Sequence, residues 1–267
     1  MTRAAIGQLC STSAILCNLE RCEGLVKAAA AAGASALFLP EAADYISTTA
    51  AESCRLARSP EAKEFVKGMQ RAASHAKLEV SVGVHEPGET DQRVKNVLLW
   101  IDKDGNITQK YQKLHLFDVN IHGGPIIQES KGVERGINLL RPFQTSVGSV
   151  GMLICYDLRF PEAGLALRRL DSQVITYPSA FSVATGQVHW RPLLQARAIE
   201  LQAFIIAAAQ AGRHNEQRES YGHSMIVDPW GVVLAEMDGS PEPAIACAEL
   251  DLTRLETVRR EMPLLRR

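Results

Sequence analysis

Cys155 lies in the run Gly151-Met-Leu-Ile-Cys-Tyr-Asp-Leu-Arg-Phe-Pro-Glu162, where a short apolar strand pattern stops and Pro161 offers the first turn of a helix. A thiol attacks only as a thiolate, and the positive end of a helix lowers its pKa, so this placement predicts a nucleophile rather than core filler. The Tyr156 N–H is a candidate donor to the oxyanion that forms when the thiolate adds to a carbonyl. Such a nucleophile needs a base and an electrophile stabiliser. Glu41 follows Pro40 at the end of the apolar run Ala36-Leu-Phe-Leu39, where α/β sheets place their sites. Lys113 ends another strand pattern in Tyr111-Gln-Lys-Leu-His-Leu-Phe117, and its charge suits both lowering the thiol pKa and holding an oxyanion. Taken singly, each has an ordinary reading: a buried core cysteine, an exposed glutamate before a loop, a solvated lysine at a strand end.

The surrounding pattern alternates strands and helices. Ala4–Leu9 reads as a buried strand, followed by a helix capped by Asn18 and ended by Gly33. The apolar run before Glu41 is the next strand. Pro60 opens a second helix with Ala62, Phe65, Val66, Met69 and Ala72 on one stripe, and Leu78–His85 follows as a period-2 strand. Arg93–Ile101 and Ile107–Lys113 flank Asp104-Gly105-Asn106, the chemistry of a hairpin turn. Residues 114–146 are loop-rich, with Gly123-Gly124-Pro125, Gly132 and Gly136. The second half repeats the alternation: strand Val150–Ile154, helix from Pro161, strand Val174–Tyr177, helix from about Gln187 to Gln202, strand Phe204–Ala209. Ser224–Val227, Val232–Glu236 and Ala244–Leu250 close the chain as antiparallel strands. Helices between apolar strands, with hairpins among them, predict an α/β fold with helical layers on mixed sheets.

Bulk composition narrows the function. With 267 residues, 46% of them hydrophobic, the chain can bury a full core, and one domain over 1–267 is expected. Its 29 basic and 30 acidic side chains give a formal charge of −1 with no long block of one sign, which argues against nucleic acid as a partner. The longest nearly apolar stretch, Ala203–Ala211, is interrupted by Gln210 and is far shorter than the roughly 20 residues of a membrane span. The N-terminus lacks a signal-peptide pattern, so a cytoplasmic protein is expected. The six cysteines, Cys10, Cys17, Cys22, Cys54, Cys155 and Cys247, form no Cys-x-x-Cys pair, and no histidines stand at zinc-ligand spacing, so a metal site is not expected.

Together the motifs are similar to those of the nitrilase, or carbon–nitrogen hydrolase, superfamily. Phe38-Leu-Pro-Glu41 resembles its glutamate motif, Tyr111-Gln-Lys113-Leu-His-Leu-Phe-Asp118 its lysine motif, and Ile154-Cys155-Tyr-Asp-Leu-Arg-Phe-Pro-Glu162 its nucleophile motif. Tyr177-Pro-Ser-Ala-Phe181, His189-Trp190, Ala196-Arg-Ala-Ile-Glu200 and Gly222-His-Ser-Met-Ile-Val-Asp-Pro-Trp-Gly231 resemble its later signatures, so the likeness runs nearly end to end. Val84-His85 and Arg93-Val-Lys-Asn-Val-Leu-Leu99 narrow it to the Nit-branch amidases. Three segments depart from the pattern: Val119-Asn-Ile-His122, Glu134-Arg135-Gly136, which lacks a proline, and Leu201, where asparagine is frequent.

The resemblance implies a four-layer αββα sandwich with two mixed sheets, usually a homodimer, and a Glu41–Lys113–Cys155 triad that cleaves a C–N amide through a thioester. It implies a further glutamate, met by Glu129, that positions Lys113 or the substrate amide. It also implies deaminated glutathione as substrate, released as 2-oxoglutarate and cysteinylglycine, with 2-oxoglutaramate the alternative. A 2-oxo acid tail needs a cation, and Arg159 can pair bidentately with its carboxylate; its competing role is an ion pair with Asp157 or Glu162. Tyr45, Phe181 and Thr185 are expected to line the pocket. Two rival readings are a Cys–His hydrolase pairing Cys155 with His115, His189 or His223, and a binding protein that keeps the fold without turnover. A cysteine phosphatase is disfavoured, because the arginine comes four residues after the cysteine without a glycine-rich anion loop.

Overall fold

The computed structural model describes residues 2–120 and 126–264. His122 and the Gly123-Gly124-Pro125 turn expected from sequence lie outside the described residues. Two mixed sheets are built around parallel triplets of strands. In the first, Thr2–Gln8, Ala36–Phe38 and Glu79–Pro87 run parallel; Ala244–Leu250 pairs antiparallel on one side, Val94–Ile101 and then Ile107–Gln112 on the other. In the second, Gly148–Met152, Val174–Thr176 and Phe204–Ala207 are parallel, flanked by antiparallel Phe143–Thr145 on one edge and by Met225–Val227 and Val233–Glu236 on the other.

Period-2 burial sets the layers. In the first sheet Ala4, Ile6, Ala36, Phe38, Leu98 and Trp100 face the second sheet. Their neighbours Ala5, Leu37, Val80, Val82, Leu99 and Ile101 pack against helices Ile15–Ala31 and Pro60–Ala76. Trp100 joins the two sheets directly, edge-on to Phe38 at 5.6 Å and to Phe143 of the other sheet at 5.4 Å. Helices Pro161–Arg169 and Val183–Leu201 cover the far face of the second sheet through Leu167, Trp190, Leu194 and Leu201. The result is an αββα sandwich.

Several boundaries differ from the sequence reading. The first helix begins at Ile15, not after Asn18; the Asn18 amide instead ties Thr12 to Asp44 by donating to both carbonyls, at 2.8 and 2.9 Å. That helix does end at Gly33, at φ +69°, with the Gly33 N–H on Ala30 O and the Ala34 N–H on Ala29 O, a Schellman closure. The helix expected from Gln187 starts at Val183. Two further helices carry their own caps: Ala50–Ala57, where Thr49 Oγ1 accepts the Glu52 N–H, and Leu252–Glu261, where the Asp251 carboxylate accepts the N–H groups of Thr253 and Arg254.

Both sheets end their parallel strands at the same end of the sandwich. Glu41 comes three residues after Phe38 and Cys155 three after Met152. The sheets are stitched there by the Ala211 N–H donating to Leu9 O at 3.0 Å. The turn carrying Glu41 lies on Gly83: Gly83 N–H donates to Pro40 O, and Ala43 N–H to Gly83 O. A Cβ on Gly83 would stand 2.6 Å from both Glu41 Cα and Pro40 O, which are backbone and cannot swing aside. Gly83→Ala should therefore lower the unfolding free energy by about 1–3 kcal/mol through overpacking. Gly24→Ala, in a helix interior with nothing within 4 Å, should instead raise it by about 0.5–1 kcal/mol. Urea melts of the two variants check the pair, and a Gly83→Ala protein as stable as its parent would contradict the steric constraint.

Candidate active site

Cys155 adopts φ +46°, left-handed for a residue with a Cβ. The strain is held by its surroundings. Its own N–H donates to Pro178 O at 2.9 Å, and Asp157, fully buried one turn on, gathers the elbow: its carboxylate accepts the Ile154 N–H (2.9 Å), the Tyr111 hydroxyl (2.7 Å) and the His115 N–H (3.0 Å), and meets His115 Nδ1 at 2.7 Å. Cys155 opens a short 3-10 turn, Cys155–Arg159, and the helix at Pro161 comes only after it. Among the described residues, no intramolecular acceptor meets the Tyr156 N–H, while those on either side are engaged.

The thiol and the Glu41 carboxylate line the same cavity, close enough for each to shift the other's titration. Glu41 Oε1 accepts from Lys113 Nζ at 2.8 Å and from Asn96 Nδ2 at 2.7 Å; Oε2 accepts the Ala180 N–H at 3.0 Å. Lys113 Nζ also donates to both oxygens of Glu129, at 3.1 and 3.0 Å. Glu129 is held in turn by the Phe117 N–H at 2.6 Å. Glu41, Lys113 and Cys155 are all buried. The structure thus brings Glu41, Lys113, Glu129 and Cys155, four residues spread over more than a hundred positions of chain, into one contact network.

The electrostatics differ from the sequence expectation in one respect. Burial, and then the Glu41 charge, push the Cys155 thiol up to about 12, outweighing the lowering by Lys113. No helix end and no lone lysine prepares a thiolate here. Burial also works against an ionised Glu41, but the charge and hydrogen bond of Lys113 prevail and hold it down to about 2. Burial alone would lower Lys113; the charges of Glu129 and Glu41 raise it well above its ordinary range, so it stays an ammonium. The resting site is thiol, carboxylate and ammonium, with the base beside the acid it would deprotonate.

These groups line a cavity of about 540 Å³ that also takes in Tyr45, Tyr156, Arg159, Phe181 and Thr185. The polar tips of two of them are committed elsewhere: the Tyr45 hydroxyl to Ser53, at 2.9 and 3.0 Å, and Thr185 Oγ1 to Ser182 Oγ at 2.8 Å. Arg159 pairs with neither Asp157, which His115 occupies, nor any other carboxylate among the described residues. Its guanidinium lies 5.9 Å from the Tyr156 ring centre and 5.5 Å from that of Phe181, with Nη2 3.2 Å from His189 Nδ1. The histidines of the Cys–His reading are engaged away from the thiol: His115 with Asp157 and Phe160, His189 with Arg159, His223 with Tyr221. Among the described residues, no group of three or more His, Cys, Asp or Glu side chains is arranged to hold a metal ion, and no helix is long and apolar enough to cross a membrane.

Sequence reasoning missed Asn96, the Ala180 N–H and Gln210 as parts of the site. Asn96 follows the inward phase of Trp100 and Leu98 along its strand, a polar residue where the pattern asks for an apolar one. Gln210, the polar break in the apolar stretch, donates to Glu41 O and Ala42 O, both at 3.1 Å, and so ties down the backbone of the Glu41 turn.

The profile of the carbon–nitrogen hydrolase family matches residues 3–260. A probable hydrolase, nit2, of Schizosaccharomyces pombe is 45% identical over 269 residues, covering 100% of this chain and 98% of that protein. Human deaminated glutathione amidase is 41% identical over 264 residues, 97% of this chain and 80% of that one. Among solved structures, the Caenorhabditis elegans NitFhit protein superposes with a TM-score of 0.92 at 36% identity, over 98% of this chain but 64% of that one. Saccharomyces cerevisiae Nit3, of branch 10 of the nitrilase superfamily, superposes with a TM-score of 0.86 at 26% identity, over 100% and 96%. The chain belongs to the carbon–nitrogen hydrolase family, within the nitrilase superfamily, and is a hydrolase of amide C–N bonds.

Proposed function

We propose that this protein hydrolyses the amide of a small 2-oxo acid, with deaminated glutathione as its substrate, through a thioester on Cys155. The observation that carries the mechanism is the network of buried Glu41 and Lys113 with half-buried Glu129, beside a protonated thiol in one cavity. With the thiol raised and Glu41 lowered, the proton leaves sulfur only as the S–C bond forms. Glu41 takes it, and Lys113 Nζ with the Tyr156 N–H holds the oxyanion. Collapse breaks the C–N bond as protonated Glu41 returns its proton to the departing nitrogen. The same carboxylate then deprotonates the water that cleaves the thioester, and Cys155 regains its proton. Glu129 keeps Lys113 charged and aimed. No step calls on a cofactor.

The substrate rests on the curated relatives named deaminated glutathione amidase and on Arg159, whose guanidinium is free of carboxylate partners in the cavity wall and suits a 2-oxo acid tail. Tyr156 and Phe181 flank it, and Tyr45 and Thr185 shape the wall. A second reading, an omega-amidase on 2-oxoglutaramate, shares the acyl half and differs only in the leaving group. The residues 1–267 would act as one domain, in the cytoplasm. A homodimer is supported by exposed Val188 and Ile199 on helix Val183–Leu201, beside exposed Trp230 and Val232, with Ile199 against Gly231 and Gln195 donating to Gly231 O at 2.8 Å.

Two experiments test the reading. Incubated in parallel with deaminated glutathione, 2-oxoglutaramate and simple amides, the enzyme should turn over the first fastest and lose all turnover in Cys155→Ala; a faster rate on 2-oxoglutaramate selects the second reading, and persisting turnover in the variant overturns the mechanism. The second concerns the thiol. Because the Glu41 charge raises the Cys155 pKa and Lys113 lowers it, Glu41→Gln leaves only the lowering charge. The pH midpoint of Cys155 alkylation, followed by peptide mass spectrometry, should fall in that variant while turnover drops at least 100-fold, in line with loss of a general base. An unchanged or higher midpoint would contradict the assignment of Glu41.

A further inference from the structure

Arg218 lines the same cavity, on a loop between strands Ala211–Arg213 and Glu219–Tyr221, and has no carboxylate partner among the described residues. The loop is pinned from below. His214 is buried with Nδ1 2.8 Å from Ser11 O and Nε2 2.8 Å from Ser220 Oγ, so Nδ1 carries the proton and Nε2 accepts the serine hydroxyl. Asn215 Oδ1 accepts the N–H groups of Gln217 and Arg218, each at 2.9 Å, and the His214 N–H closes the loop on Arg218 O at 2.9 Å. The adjacent Glu219 stands opposite Arg213 in the hairpin register. An exposed guanidinium on a fixed backbone is arranged to meet a ligand.

Its side of the cavity follows from the chemistry. The departing nitrogen must reach Glu41 to take up the proton, so the leaving group lies toward Glu41. Arg218 stands close enough for its charge to help hold that carboxyl ionised, and Asn215 of its loop reaches Ser47 O, beyond Glu41 in the chain, at 3.4 Å. Arg159 sits instead against Tyr156 and Phe181, beside the nucleophile.

We propose that Arg218 is a specificity-determining residue that receives a carboxylate at the far end of the leaving group, so that the site selects an amide with a carboxylate on each side of the scissile bond. A two-residue leaving group spans about 7 Å when extended and so presents its terminal carboxylate well away from the reacting nitrogen. Arg159 takes the acyl-side carboxylate and Arg218 the other. The inference rests on the amidase reading above and adds a reason for preferring a dipeptide leaving group to ammonia.

The test compares kcat/KM for deaminated glutathione and for 2-oxoglutaramate in the wild-type protein and in Arg218→Gln. Both substrates give the same 2-oxoglutaryl thioester, so any effect of the substitution on Glu41, Cys155 or deacylation cancels in the ratio. That ratio should fall at least tenfold, through a higher KM for deaminated glutathione, as expected for loss of a charge-assisted pair. A wild-type measurement with deaminated glutathione capped as its C-terminal amide needs no variant to fold: the cap should raise KM at least tenfold, and Arg218→Gln should add no further loss. A ratio unchanged by the substitution, or a capped substrate as good as the acid, overturns the role of Arg218 while leaving the amidase reading intact. A wild-type protein that hydrolyses neither substrate overturns both.

Discussion

The site depends on one buried ammonium. Lys113 is enclosed between Glu41 and Glu129, and without it two carboxylates would share the site with no cation between them. Withdrawing a charge from water costs several kcal/mol per ion, and removing one partner of a buried pair typically costs about 3–5 kcal/mol. The chain offsets that cost with fixed donors: the Ala180 N–H satisfies the Glu41 oxygen that the lysine does not reach, and the Asn96 amide and the Phe117 N–H add second donors to oxygens of Glu41 and Glu129 that it does. Each donor comes from a different element, so the cluster also locks the two sheets in register at the end where they meet.

The same cluster decides how the nucleophile works. A cysteine next to a lone lysine would rest as a thiolate, open to oxidation and to any electrophile. Here burial and then the Glu41 charge outweigh the lysine, so the resting thiol keeps its proton. The strained elbow at Cys155, held by Asp157 and Pro178 O, sets the residue in the wall of the cavity that Glu41 also lines and leaves the next N–H without an intramolecular acceptor among the described residues. On the proposed mechanism, nucleophile, base and oxyanion donors would be in place before substrate binds, the preorganisation that lowers a barrier.

Much of this was legible in the sequence, for identifiable reasons. Strand ends, helix starts and turn residues are local signals, so the positions of Glu41, Lys113 and Cys155 at strand ends, the Gly33 helix stop and the hairpin at Gly105 could be read from neighbouring residues. What could not be read is long-range. The Ala180 N–H on Glu41 spans 139 positions and the Asn96 contact 55. The direction of the Cys155 shift depends on those distances and on burial, which no local pattern encodes. The helix Ala50–Ala57 has its Thr49 cap and Glu52 in plain view, but it is only two turns long and follows the turn at Glu41, which draws the reading toward loop. Arg159 shows the opposite limit: its neighbours Asp157 and Glu162 suggested an ion pair, yet His115, forty-two positions from Asp157, holds that carboxylate instead.

The central claim is that Cys155 is acylated by the substrate with Glu41 moving the proton. Mixing enzyme with deaminated glutathione, quenching in acid within the first turnover and mapping the modified peptide by mass spectrometry tests it most directly. The account predicts a 2-oxoglutaryl thioester on Cys155 alone, formed as fast as the first equivalent of cysteinylglycine is released. Cysteinylglycine released with no adduct on Cys155, or an adduct on another residue, would contradict it.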